Sequence, residues 1–129
     1  MAQSNVEAIQ ALYRAFLKRE LMTILSLVDS GIEIRVTEVL PWGGTYKGLG
    51  GLKDFFGKLL ENLDSKVDFT QWIESGDSVV AIGRSHGKVN ANGNAFDIPI
   101  VHVWHLRDGK AFLFEAYVDT VAMLKALGK

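Results

Sequence analysis

The residues best suited to chemistry lie in one segment, which reads DIPIVHVWHLRDGKAFLFEAYVD from Asp97 to Asp119. Its dipeptide Asp108-Gly109 separates two predicted strands, because Asp-Gly favours the tight turns that join antiparallel strands. Side chains alternate along a strand, so His102 and Trp104 share one otherwise apolar face. Polar groups on such a face predict a sheet that covers a cavity.

His102 is the first candidate for a catalytic group. In an apolar pocket, loss of hydration favours the neutral imidazole. That form offers one donor and one acceptor, so it could act as an acid, a base or a donor to an oxyanion. The alternative is a buried structural histidine bonded to a neighbouring polar group, and both readings stay open.

Three further residues could join His102 as catalytic groups. Glu38 shares the apolar face of a predicted strand over residues 32–39, where burial would raise the pKa of its carboxyl as a general base requires. It could instead have reached the wet end of that strand. Asp119 could be an acid or base, or only the cap of the last helix. Tyr13 lies on the apolar stripe of the first helix, as core or as a donor to His102.

Aromatic side chains could wall the pocket for a flat or apolar ligand. Trp42 lies in the loop Pro41–Gly44 and could form part of a mouth or lid. Trp104, Tyr117 and Phe56 are the other candidate ligand-binding residues. Tyr117 could also face solvent or a partner, and aromatic residues at such spacing are often simply core.

The periodicity of the apolar residues predicts one α+β domain over residues 1–129, with helices packed on one face of a strongly bent antiparallel sheet. Ser4 and Glu7 form a capping-box pattern before the first helix. A second short helix ends near residue 31, and a third follows Gly48. Turn signals then join four strands into a meander. These strands are expected near 67–74, 79–90, 96–107 and 111–118, and the last helix over 120–127.

Composition narrows the function classes. The chain has 129 residues, a net charge of −1, no cysteine and no run of basic residues, so nucleic acid and membrane surfaces are poor candidates for partners. The start of the chain, MAQSNVEAIQ, does not resemble a secretory signal, and we expect a cytoplasmic protein. The three histidines lack metal-ligand spacing, so no metal is expected.

The outward face of the same sheet carries a second expectation. Val101, Val103 and His105 point away from His102. Two valines on that face indicate that it is covered, and a second copy of the sheet is the natural cover. The sequence therefore predicts a homodimer through the outer sheet face.

The segment IPIVHVWHLRDGKAFLFEAYVDT, the break PWGGTYKG and the order of helices resemble the SnoaL-like branch of the NTF2-like superfamily, which also contains the ketosteroid isomerases. The resemblance covers nearly the whole chain. It implies an NTF2-like (cystatin-like) cone, with a curved antiparallel sheet wrapped around the N-terminal helices. Members include isomerases, polyketide cyclases, hydrolases, dehydratases and non-catalytic binding domains, so the fold alone does not define a reaction.

The resemblance also implies roles for single residues. Tyr13 stands where the isomerases have a tyrosine that donates to the developing oxyanion. Thr37, with Glu38 beside it, stands near their general base, and His102 replaces their protonated aspartic acid. SnoaL-like cyclases use an aspartate as acid/base, for which Asp119 is the candidate. The implied function is cofactor-free proton transfer on an apolar carbonyl compound; the alternatives are a binding protein for a small hydrophobic molecule and a protein-interaction domain.

Overall fold

A computed structural model describes residues 4–129 of the chain. It contains four helices and six strands in these residues. The helices are α1 (Asn5–Lys18), α2 (Leu21–Leu27), α3 (Gly48–Asn62) and α4 (Thr120–Ala126). The strands are β1 (Val28–Val36), β2 (Gly44–Lys47), β3 (Leu63–Ser75), β4 (Ser78–Val89), β5 (Ala95–Arg107) and β6 (Lys110–Val118).

Helix α1 begins at the predicted capping box. The Glu7 amide donates to Ser4 Oγ at 3.1 Å, and the Ser4 amide donates to the Glu7 carboxylate at 3.3 Å. These two bonds satisfy backbone donors that the first helical turn would otherwise leave free. The apolar side of α1, centred on the fully buried Leu12, packs onto the sheet.

The strands form one sheet in the order β2-β1-β6-β5-β4-β3. Strands β3 to β6 form the predicted antiparallel meander. Strand β1 pairs with β6 in parallel, so the carboxyl ends of these two strands lie at the same end of the sheet. The α+β fold class and the curved sheet are thereby confirmed.

The first strand differs from its prediction. It begins at Val28, inside the segment predicted to be helical, and it ends at Val36 instead of residue 39. A turn over residues 37–43 follows, and it requires Gly43 because a Cβ there would lie 1.7 Å from the Thr37 carbonyl oxygen. The short strand β2 was not predicted, since four residues next to a glycine-rich break carry no clear alternation.

Strands β3 and β4 pair irregularly near the middle of β3. The register of this pair shifts between Phe69 and Gln71, as in a β-bulge. Gly83 lies opposite Phe69, and a Cβ at Gly83 would come within 2.0 Å of the Asp68 carbonyl oxygen. The concave face receives the helices and the core. Within residues 4–129, no helix is both long and apolar enough to cross a membrane.

Candidate functional site

His102 lies in the middle of the concave face of the sheet. Its Cα is paired with Ala81 of β4 on one side and with Ala116 of β6 on the other. Directly paired residues of antiparallel strands point to the same face. Two methyl groups therefore flank the imidazole, which stands above its neighbours in the sheet.

Helix α1 reaches this imidazole through Tyr13. The Tyr13 hydroxyl lies 2.6 Å from His102 Nδ1, and the Trp104 indole donates its Nε1–H to the same hydroxyl at 2.9 Å. Strand β5 carries both His102 and Trp104, two residues apart on one face. The hydroxyl is therefore held from two sides, by one donor and one ring nitrogen.

Aromatic rings enclose the remaining faces of the imidazole. The Phe114 ring centroid is 5.0 Å from that of His102, and the Phe69 centroid is 5.4 Å away, both in edge-to-face geometry. The Tyr13 ring is nearly parallel to the imidazole at 6.0 Å. These groups replace water on most of the ring with apolar surface.

This burial sets the protonation of the site. Loss of hydration disfavours imidazolium and lowers the pKa of His102 from 6.5 to about 3. The same effect raises the pKa of Tyr13 well above its usual value, although the bond from Trp104 opposes the rise. At neutral pH both groups are uncharged, so the imidazole and the phenol act as neutral hydrogen-bonding partners.

One atom of the imidazole stays open. No described residue bonds to His102 Nε2, and among residues 4–129 no buried side-chain nitrogen or oxygen lacks a partner. Nε2 must therefore be reached from outside the protein. The ring is partly buried as a whole, with its Nδ1 edge bound and its Nε2 edge free.

The predicted carboxylates do not reach the imidazole. Glu38 is exposed in the turn after β1, because the strand ends at Val36 and its alternation does not extend that far. Asp119 is the N-cap of α4, and its carboxylate accepts from the Ala122 amide at 3.1 Å. These positions match the alternative interpretations, in which Asp119 only caps the last helix and Glu38 lies at the solvent-exposed end of its strand.

Both carboxylates nevertheless lie at the same end of the sheet. Glu38 follows β1 and Asp119 follows β6, and these two strands run in parallel. A cavity of about 240 Å³ opens there between the strand ends. Its lining includes Ala116, the neighbour of His102 in the sheet. It also includes side chains of the convex face, among them Glu115 and Tyr117. His102 itself does not line this cavity.

The structure separates the predicted aromatic wall residues. Trp104 contacts the Tyr13–His102 pair directly. Trp42 is 3% exposed within the core, so it has almost no surface for a mouth or lid. Phe56 packs on other phenylalanines of the core, and Tyr117 is 54% exposed on the convex face, opposite His102. Alternation explains the last placement, since Ala116 pairs with His102 and Tyr117 is its neighbour.

Sequence reasoning missed two residues that contact His102, Phe69 and Phe114. Phe114 could have been found, because the hairpin register places it opposite Trp104 on the concave face. Phe69 could not, because the shift in register beside it breaks the alternation that would have assigned its face. In the described part of the chain, no group of three or more His, Asp or Glu side chains is arranged to hold a metal ion.

Comparison with known proteins identifies the family. A family model described as the SnoaL-like domain matches residues 9–113. This match spans most of the chain, and the protein belongs to the SnoaL-like domain family. No curated protein matches the sequence significantly.

Solved structures carry the same fold over their whole length. An NTF2-like protein of unknown function from Burkholderia pseudomallei is 24% identical, with a TM-score of 0.88 over 99% of this chain and 100% of that one. TerC, co-crystallised with polyporic acid, is 32% identical, with a TM-score of 0.86 over 97% and 98% of the two chains. A proposed polyketide cyclase from Pseudomonas putida is 16% identical, with a TM-score of 0.82 over 97% and 98%.

The depressed pKa of His102 makes the stability of the fold depend on pH. Between pH 6.5 and about 3, the unfolded chain holds a proton on this histidine and the folded chain does not. Unfolding therefore takes up a proton, and the free energy of unfolding falls as the pH drops below 6.5. We expect His102 to account for a loss of about 1–2 kcal/mol between pH 7 and pH 5.

Urea unfolding of the wild type and of His102→Asn at the two pH values measures this contribution, because asparagine does not titrate. The wild type should lose more stability than the variant, whereas His86→Asn, at an exposed ion pair with Asp68, should leave most of the pH dependence intact. Equal losses in the wild type and His102→Asn would show that His102 titrates normally in the folded protein.

Proposed function

We propose that this protein is a cofactor-free enzyme that moves a proton on a flat, apolar carbonyl compound, in the manner of the isomerases and cyclases related to its family. The observation that carries the proposal is the neutral His102, whose Nδ1 edge is bound by Tyr13 and whose Nε2 edge is free. A neutral group that donates to a developing oxyanion in a water-poor site is a recurrent means of stabilising an enolate.

The ring partners of His102 support a flat ligand. Phe69, Phe114 and Tyr13 surround the imidazole with aromatic surface, and the adjacent Ala81 and Ala116 keep side-chain bulk low beside it. Aromatic ligands pack well in offset or edge-to-face contact with such rings. A ligand that brings an oxygen to Nε2 would therefore lie against an apolar wall.

The proton acceptor in this proposal is a carboxylate at the rim of the sheet, Glu38 or Asp119. Both follow strands that end beside the cavity lined by Val36 and Ala116. His102 itself is poorly suited as the base, because its lowered pKa makes imidazolium costly. In this proposal His102 donates a hydrogen bond to the substrate oxygen, and Glu38 or Asp119 removes the proton.

The similarity to TerC suggests the class of compound. TerC was co-crystallised with polyporic acid, and it shares 32% of its residues with this chain. Polyporic acid is an aryl-substituted hydroxyquinone, so it carries oxygens that can accept from Nε2 and rings that can pack on the aromatic wall. We propose a polycyclic or aryl-substituted phenol, quinone or ketone as the substrate of this protein.

A second function, ligand binding without catalysis, uses the same site. It is favoured by the positions of Glu38 and Asp119, neither of which forms a hydrogen bond to His102 in the described structure. Long incubation with a tightly bound compound separates the two functions. Product formation supports the enzyme, and recovery of the unchanged compound supports the binding protein.

Binding of polyporic acid tests the location of the site. We expect His102→Ala to weaken binding by about tenfold or more, because one hydrogen bond to a polar or charged oxygen is lost. Quenching of tryptophan fluorescence, with Trp104 next to the site, provides the measurement. His86→Ala is the matched control, since its side chain pairs with Asp68 far along β4, and it should bind as the wild type does.

Equal affinity of His102→Ala and wild type, with the variant shown to be folded by circular dichroism, would place the ligand elsewhere. A position in the cavity at the ends of β1 and β6 that does not reach His102 would then be the first alternative.

We also propose that the protein forms a homodimer through the convex face of the sheet. The centre of this face is apolar, with Val80 paired to Val103 and Ile82 paired to Val101 across β4 and β5. Charged pairs of both signs flank it, including Arg84 with Asp97. A patch of this kind can be self-complementary about a two-fold axis, as isologous dimers require.

Substitution of the centre of this face tests the dimer. We expect the wild type to sediment as a dimer at micromolar concentration and Val103→Lys to sediment as a monomer, because a buried unpaired charge opposes association. Leu17→Lys is the control, because Leu17 is exposed on α1, which packs on the opposite face of the sheet. This variant should stay dimeric. A wild type that is monomeric at micromolar concentration would contradict the proposal.

A further inference from the structure

We infer that Trp104 is a positioning residue that fixes the proton of His102 on Nε2 through Tyr13, so that the site offers a ligand a hydrogen-bond donor and selects an oxygen acceptor. The tautomer follows from the contacts of three side chains. Only the class of ligand rests on the function proposed above.

The direction of the hydrogen bonds follows from what each group can do. The Trp104 indole has an N–H and no acceptor, so it must donate to the Tyr13 oxygen across their 2.9 Å contact. The Tyr13 hydroxyl then has one proton to place. His102 Nδ1, at 2.6 Å, is its remaining hydrogen-bonding partner in the described structure.

The opposite arrangement leaves a donor without an acceptor. If His102 carried its proton on Nδ1, it would donate to the Tyr13 oxygen, which already accepts from Trp104. The Tyr13 proton would then have no acceptor among the described residues. An unpaired hydroxyl donor inside an aromatic cluster is costly. Tyr13 therefore donates to Nδ1, and a neutral imidazole must carry its own proton on Nε2.

Trp104 can fix this direction because its side chain is buried and packed against other aromatic rings. Its side chain is 3% exposed, and its ring lies 4.2 Å from that of Phe114. It meets the Tyr13 ring at 5.7 Å and 89°, which aims the indole edge at the phenol. The direction of the bonds thus originates in a buried donor that bonds to Tyr13 and not to His102.

The free Nε2–H of His102 ends this series of hydrogen bonds and defines what the site can recognise. Nε2–H is a donor, and no described residue competes for it. A ligand must therefore present a carbonyl, enolate or phenolate oxygen at this position. Anionic oxygens form the stronger bonds with such a donor. A ligand that places an amine or an amide N–H there would leave two donors facing each other.

Nitrogen-15 NMR of the imidazole in the ligand-free protein tests the inference, because the two ring nitrogens have distinct shifts when protonated and unprotonated. We expect His102 in the wild type at pH 7 to be protonated on Nε2 by at least tenfold over Nδ1. In Trp104→Phe, the Tyr13 oxygen loses its donor, and the preference should fall by about tenfold.

Trp72→Phe is the matched control, since Trp72 packs on the same Tyr13 ring at 6.0 Å without a bond to its hydroxyl in the described structure. It should keep the wild-type tautomer. Tyr13→Phe, which removes the donor to Nδ1, should also lose the preference, so the test stands even if Trp104→Phe does not fold.

A wild-type His102 protonated on Nδ1, or a tautomer unchanged in both Trp104→Phe and Tyr13→Phe, would overturn the inference. The result does not depend on turnover or on ligand binding. A protein with the expected tautomer that fails to bind polyporic acid would contradict the proposed function alone.

Discussion

The hydroxyl of Tyr13 is the point on which the site depends. It accepts from Trp104 and lies within hydrogen-bond distance of His102, and both of these residues belong to β5. Tyr13 and His102 are 89 residues apart in sequence, so a single polar atom inside an aromatic cluster joins α1 to β5. Because the surroundings are apolar, each of these hydrogen bonds would be costly to leave unmade.

The architecture of the sheet explains why the contact between Tyr13 and His102 leaves the imidazole accessible instead of burying it completely in the core. Alanines on both sides of His102 leave the imidazole standing above the sheet floor, while Phe69 and Phe114 remove water from its faces. The parallel pairing of β1 with β6 then places two strand ends next to each other beside the imidazole. The parallel pair thus brings Glu38 and Asp119, which follow these strands, to the same end of an otherwise antiparallel sheet.

Much of this arrangement could be predicted from the sequence, for identifiable reasons. Strict alternation in β5 assigned His102 and Trp104 to one face, and the Asp108-Gly109 turn fixed the partner strand. Helical periodicity together with the capping box located α1 and Tyr13. The contact between Tyr13 and His102 was anticipated as an option, because the resemblance to the isomerases places both in one pocket.

Other parts were out of reach because they depend on contacts between distant segments. The end of β1 at Val36 is set by the turn packed against Gly43, so the alternation that suggested a buried Glu38 continued past the real strand. Trp42 lies in a loop by sequence and in the core by packing. The register shift beside Phe69 changes which residues of β3 point to the concave face. The alternation of apolar and polar residues in the sequence cannot show such a shift.

The most direct test of the central claim is a crystal structure of the protein with polyporic acid. The account predicts a ligand oxygen about 2.7–3.2 Å from His102 Nε2, with Tyr13 still on Nδ1 and the ligand rings against Phe69 and Phe114. A ligand that binds only at the outer part of the cavity at the ends of β1 and β6, without an oxygen near His102 Nε2, would contradict it.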